Sequence, residues 1–177
     1  MELKERIIWC DTRQKGKQWD WLKEEFKTRG YKIKDDKPMT YGDYCMPPNL
    51  SVLIDTKYCI QEIVGNVTQQ HVRFRNELIG AKEMGATLHI LIVNEENVKC
   101  IEDLNKWENP RIKTWAIQRN RARRTGRPYP KQPPTSGKQL AKILTTMQNE
   151  YGAIFDFCKK SECADKIIEI LTEGVEK

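Results

Sequence analysis

Apolar residues recur along this chain in two periods, and the switches between them mark its elements. Arg6 to Cys10, with Ile7, Ile8 and Trp9 in succession, predicts a first strand, and Asp11 to Gly16 a polar loop. Trp19, Leu22 and Phe26 then recur at helical spacing, and Gly30 is the stop signal for that helix. Tyr31 to Lys34 predicts a second strand and Asp35 to Pro38 a turn. Tyr44 to Met46 and Val52 to Thr56 predict an antiparallel hairpin across Pro47, Pro48 and Asn49. Between Val67 and Met84 the spacing of Val67, Phe74, Leu78 and Ala81, widened by Val72 and Ile79, predicts one helix closed by Gly85. Leu88 to Val93 is almost continuously apolar and of strand length, as for a central strand covered on both faces.

The pattern then breaks. Arg111 to Lys131 holds Arg119, Arg121, Arg123, Arg124 and Arg127 among other cations and no acidic residue, with Pro128, Pro130, Pro133 and Pro134 at its end. This stretch, about 108–135, reads as a basic arm or loop. Ser136 to Gln139 has the form of a capping box before a helix carrying Leu140, Ile143, Leu144 and Met147, which Gly152 closes. Ala153 to Phe157 predicts a last strand, and Ser161 caps a final helix with Ala164, Ile167, Ile168 and Leu171 inward, giving a helix-strand-helix tail over 136–174. The order of elements is α/β, with a mixed central sheet flanked by helices.

At 177 residues the chain suits a single domain, with a core at about 6–95. Hydrophobic residues at 38% against 32% charged exclude a disordered composition. A formal charge of +6 allows an anionic partner. No apolar stretch approaches a membrane span, so a soluble, cytoplasmic protein with no membrane partner is expected. The six cysteines, including the nearest pair Cys158 and Cys163, form neither a CxxC pair nor a cluster with His71 or His89. Reduced thiols are therefore expected, without zinc or disulfides.

The chemistry concentrates at Ile54-Asp55-Thr56-Lys57. On a strand, side chains alternate, so Asp55 and Lys57 share one face while Val52, Ile54 and Thr56 take the other. Asp43, from Gly42-Asp43-Tyr44 on the neighbouring strand, adds a second carboxylate. Two carboxylates beside one lysine suit a hard divalent cation and a phosphate under attack. A solvated strand edge or a buried Asp55–Lys57 ion pair would produce the same pattern without catalysis.

In order, Asp11-Thr12-Arg13, Gly42-Asp43-Tyr44, Ile54-Asp55-Thr56-Lys57, Gln61-Glu62 and His71-Val72-Arg73-Phe74-Arg75 resemble the XPF-type nuclease domain. That domain is a branch of the restriction-endonuclease-like PD-(D/E)xK superfamily. The resemblance covers about 6–95 and looks most like the small phage-type members. It implies a metal-dependent DNA-cutting site in which Asp11, Asp43, Asp55 and Lys57 take the family's roles, with work in DNA repair or recombination and homodimers plausible. Asp55 stands where the family triplet has Glu, and Thr56 where it has Arg. The acid four residues after the lysine is replaced by Gln61, with Glu62 beside it. The tandem helix-hairpin-helix module of larger members has no counterpart here.

The resulting expectation is an endonuclease acting on DNA, and structure-selective for branched DNA. Asp43, Asp55 and Lys57 are the catalytic centre, Asp43, Asp55, Asp11 and Glu62 the holders of Mg²⁺ or Mn²⁺. Asp55→Asn is expected to abolish nicking without lowering the melting temperature. Arg73 and Arg75, near a helix start, suit phosphate, and Arg73 is preferred because Asn76 and Glu77 place it off the apolar stripe. Arg119, Arg121, Arg123, Arg124 and Arg127, with Trp115 and Tyr129, suit backbone neutralisation and base stacking. Gly137-Lys138 lacks the earlier glycine and the hydroxyl of a phosphate loop, so no nucleotide cofactor is expected. The alternative is a non-catalytic DNA-binding or adaptor module with the same fold.

Overall fold

The computed structural model describes residues 6–14, 17–129 and 131–173. Lys15 and Gly16 of the predicted loop, Pro130 and the predicted helix end at 174 lie outside them. Within the described residues the elements run β1 (Ile7–Cys10), α1 (Lys17–Thr28), β2 (Lys32–Lys34), β3 (Tyr44–Met46), β4 (Asn49–Lys57), α2 (Ile60–Thr68), α3 (His71–Glu83) and β5 (Thr87–Val93). A 3₁₀ turn at Ile101–Lys106, α4 (Pro110–Thr125), α5 (Gly137–Tyr151), β6 (Ile154–Cys158) and α6 (Cys163–Glu173) follow.

The strands form one mixed sheet in the order β2-β1-β3-β4-β5-β6. β3 runs antiparallel to both neighbours, while β4, β5 and β6 are parallel, as are β1 and β2. Alternation along the strands feeds two cores. Leu53, Leu88, Ile90, Ile92 and Phe155 pack with Ile63, Phe74, Leu78, Leu140 and Leu144 from α2, α3 and α5. On the other face Ile8, Ile54, Leu91 and Val93 meet Leu22 and Phe26 of α1 and Ile167 and Leu171 of α6. β5 is therefore covered on both sides, which its unbroken apolar run required. The architecture is the expected α/β one, a six-stranded mixed sheet flanked by helices. No helix among the described residues is long and apolar enough to cross a membrane, and all six cysteines are free.

Three local readings change. The predicted helix from Val67 to Met84 is two, broken at Gln69 and Gln70: Gln69 N–H closes α2 on Gly65 O at 2.9 Å, and Gln70 leaves helical geometry with ψ 20°. Val72, assigned to the apolar stripe, is 62% exposed in consequence. The basic stretch is no loop over its first part but the helix α4, capped by the Asn109 side chain accepting from Arg111 N–H at 3.0 Å, with Pro110 opening the first turn. Arg119 amid the helix's inward Ile112, Trp115 and Ala122, and Ile117 exposed on the opposite side, blur the apolar stripe by which helices are recognised. Ser161 sits inside a 3₁₀ turn, Lys160–Glu162, so α6 begins one residue later than a cap at Ser161 predicts. By contrast, Ser136 and Gln139 form the capping box, and Gly152 ends α5 at φ 71°.

Candidate active site

The predicted catalytic residues meet where β1, β3 and β4 end, in a cleft of about 730 Å³. Gly42 makes the turn that brings them there: its φ is +70°, and a side chain on it would press on Ile54 O at 2.9 Å. Asp43 N–H then donates to Ile54 O at 2.6 Å, and Asp11 N–H to Asp43 O at 2.8 Å. Asp43 Oδ2 accepts both the Thr56 N–H at 2.8 Å and the Thr56 hydroxyl at 2.7 Å, and Gln14 Nε2 donates to that hydroxyl oxygen at 2.8 Å. Thr56 thus positions the carboxylate.

Asp55 and Lys57 share a face, as alternation predicts. Lys57 Nζ lies 2.5 Å from Asp55 Oδ2, with both side chains 8% exposed. Apart from this ion pair the buried Asp55 Oδ2 has no hydrogen-bond partner. Burial alone would lower the Lys57 pKa, but the charge and contact of Asp55 outweigh it and hold the pKa above the ordinary lysine value. Lys57 is therefore a cation here and not a base. Burial, then the Asp55 charge, push Asp43 up to about 7, against the pull of the Thr56 bonds and of Lys57.

The other predicted metal holders are already engaged. Burial tends to raise the Asp11 pKa, but Arg13 grips that carboxylate through its N–H, Nε and Nη2, the last at 2.6 Å, and brings the pKa below the ordinary value. Glu62 lines the cleft from the first turn of α2, where its Oε2 accepts Tyr58 N–H at 2.7 Å. Gln61 turns away, donating to Asn109 Oδ1 at 2.7 Å. A carboxylate that the sequence reading did not assign enters instead: Glu77 of α3 lines the cleft, and burial followed by the Asp55 charge raises its pKa. The only hint in sequence was its position off the Phe74-Leu78-Ala81 stripe, four residues after Arg73.

Among the described residues no three His, Cys, Asp or Glu side chains are grouped to hold an ion by themselves. Mg²⁺, however, keeps several waters and takes one or two carboxylates. The all-oxygen pair Asp43 and Asp55, with Asp55 Oδ2 held by Lys57 alone, fits that requirement.

The arginines divide. Arg73 lines the cleft, whereas Arg75 lies on the side of α3 toward Tyr151, its Nε buried without a partner. Arg119 stacks over Trp115 at 5.1 Å, and Arg119 and Arg123 bond the Tyr129 hydroxyl, lowering its pKa. Arg121, Arg124 and Arg127 are exposed. Of the histidines, His89 Nδ1 is 2.7 Å from Asp156 Oδ2 in a structural pair, and His71 is exposed. A smaller cavity of about 240 Å³ behind Trp9, Tyr41 and Leu53 is mainly apolar and carries no comparable set of groups.

Two solved structures of XPF from Aeropyrum pernix, one of them in complex with DNA, superpose on this chain. Their TM-scores are 0.58 and 0.59 at 13% identity, over 97% of this chain and 66% of theirs. The fold is XPF-like. No protein-family model matches the sequence, and no curated protein does. The chain spans 66% of the length of those XPF chains. In this XPF-like fold the cleft lies at the seam between the antiparallel strand β3 and the parallel run that begins at β4.

Proposed function

We propose that the chain is a metal-dependent DNA endonuclease, selective for DNA structure, working at the cleft of Asp43, Asp55 and Lys57. The observation that carries this reading is the convergence of two carboxylates and a permanently charged lysine in one cleft, with the buried Asp55 Oδ2 engaged by Lys57 alone. Asp43 and Asp55 would hold Mg²⁺ or Mn²⁺, which when bound supplies Lewis acidity and a more acidic water. Thr56 fixes the orientation of Asp43. Lys57 sets positive charge where a scissile phosphate gains negative charge, and Arg73 offers a second cation at the rim. The likeness to an XPF solved with DNA supports a nucleic-acid substrate.

The test is nicking of supercoiled and branched DNA with Mg²⁺ or Mn²⁺. Wild type is expected to cut and Asp43→Asn to lose at least about a hundredfold in rate. Full cleavage by that variant overturns the reading.

A second reading, a non-catalytic DNA-binding module, is favoured by the closed pairs Asp11–Arg13 and Asp55–Lys57. Wild type that binds DNA but does not cut it with any divalent ion would support this second reading.

A further inference from the structure

α4 carries its cations on two sides that do different work. Its inward side presents Ile112, Trp115, Arg119 and the buried Ala122, and the segment after Gly126 returns along it. Arg119 and Arg123 bond Tyr129 of that segment, and Asn109 Nδ2 donates to Thr135 O at 2.7 Å where the segment ends. Cations on this side hold the helix to its backing.

The outward side is a separate stripe. Lys113, Ile117, Arg121 and Arg124 stand at i, i+4, i+8 and i+11, so they fall within about 80° of one another on the helical wheel. The Lys113 side chain is 81% exposed and Ile117 69%. No acidic residue occurs from Asn109 to Lys131, and the nearest acid, Glu108, lies 3.5 Å from Lys113. No described residue covers the isoleucine set among these cations, which is 69% exposed.

We propose that this outward stripe of α4 docks in the major groove of duplex DNA. The inference rests on the nucleic-acid reading above and not on cleavage. The helix has 16 residues, about 24 Å of rod, and is about 10–12 Å across, which a major groove about 12 Å wide admits. Lys113, Arg121 and Arg124 reach phosphates on the groove walls, and Ile117 meets the floor, where thymine methyl groups offer apolar contact. A second copy of the chain would present the same cations and repel. A single strand offers no groove, and the major groove of duplex RNA is too deep and narrow for a helix.

The experiment is salt-dependent binding of a short labelled DNA duplex to the whole chain in EDTA, where cleavage does not interfere. The Lys113→Ala/Arg121→Ala/Arg124→Ala variant is expected to bind at least about tenfold more weakly, with a log–log salt slope reduced by about 3. Its melting temperature should be unchanged, because all three side chains are exposed and alanine favours the helix. Duplex RNA of the same sequence is expected to bind at least about tenfold more weakly than the DNA.

A wild-type slope in the variant, equal binding of duplex RNA, or tighter binding of single strands overturns the inference. So does self-association of the wild type that Ile117→Glu abolishes, which would assign the stripe to a second copy. Wild type that binds through this stripe yet cuts nothing would sink the nuclease reading and leave the docking surface standing. Cleavage by wild type with undiminished binding by the triple variant would do the reverse.

Discussion

Thr56 holds Asp43 by two hydrogen bonds to a single oxygen, one from its backbone and one from its hydroxyl, at 2.8 and 2.7 Å. Arginine at this position, as in the family triplet, has no hydroxyl to give. The residue that looked like a lost cation in the sequence is a positioning group in the structure.

Thr56→Val keeps the shape and the backbone bond and removes the hydroxyl. Because the acceptor is a carboxylate in a buried setting, the loss should be about 1.5–3 kcal/mol in urea unfolding at pH 8, with Thr56→Ser restoring most of it. Calorimetry should also show weaker Mn²⁺ binding by Thr56→Val. An unchanged unfolding midpoint would remove Thr56 from this role.

Asp43 titrates near neutrality, and this has a sign. Burial and the Asp55 charge raise its folded pKa from 3.8 to about 7, so the folded chain holds the proton more tightly than the unfolded one. The stability it contributes is complete below 3.8 and is lost as pH rises through about 7. In EDTA the melting temperature of wild type should fall between pH 6 and pH 8 by more than that of Asp43→Asn. The variant should be the more stable of the two at pH 8. Parallel curves would reject the shift.

Asp55→Asn removes the partner of a buried ammonium. Breaking a buried pair on one side typically costs about 3–5 kcal/mol, whereas exchanging both partners is close to neutral. The single variant should therefore melt well below wild type, and Asp55→Asn/Lys57→Met should recover most of the loss. The sequence led to the opposite expectation for Asp55→Asn, because alternation places the two side chains together without revealing that both are buried.

Gly137, the first residue of α5, has no room for a methyl group: a Cβ there would run into the carbonyl oxygens of Leu104 and Trp107. These are backbone atoms and cannot swing aside. Gly137→Ala should destabilise by about 1–3 kcal/mol in chemical denaturation, although alanine is the better helix former. A neutral or stabilised variant would contradict the packing.

The legible parts of the fold are those in which a local pattern and the tertiary environment agree. The β4 alternation, the run from Leu88 to Val93 and the Ser136/Gln139 box each state in a few residues what the structure does with them. α4 was misread because Arg119 interrupts its inward Ile112, Trp115 and Ala122 and Ile117 lies outside them, and the informative signal was the pair Asn109-Pro110. α2 was missed although Ile60, Ile63, Val64 and Val67 recur at helical spacing, because at nine residues it is short enough for its stripe to run on into that of α3. At the cleft, the sequence brought Asp43, Asp55 and Lys57 together. The Arg13 grip on Asp11, the Tyr58 bond of Glu62 and the arrival of Glu77 depend on loop and helix placement, which no short-range pattern records.

One buried amide links the basic helix to the cleft. Asn109, 1% exposed, accepts from Gln61 and from Arg111 N–H and donates to Thr135 O. It works as a joint between α4, its returning segment and the first turn of α2. Through Asn109 the first turn of α4 is tied to Gln61, the neighbour of Glu62, so the basic helix and the lip of the cleft share one anchor.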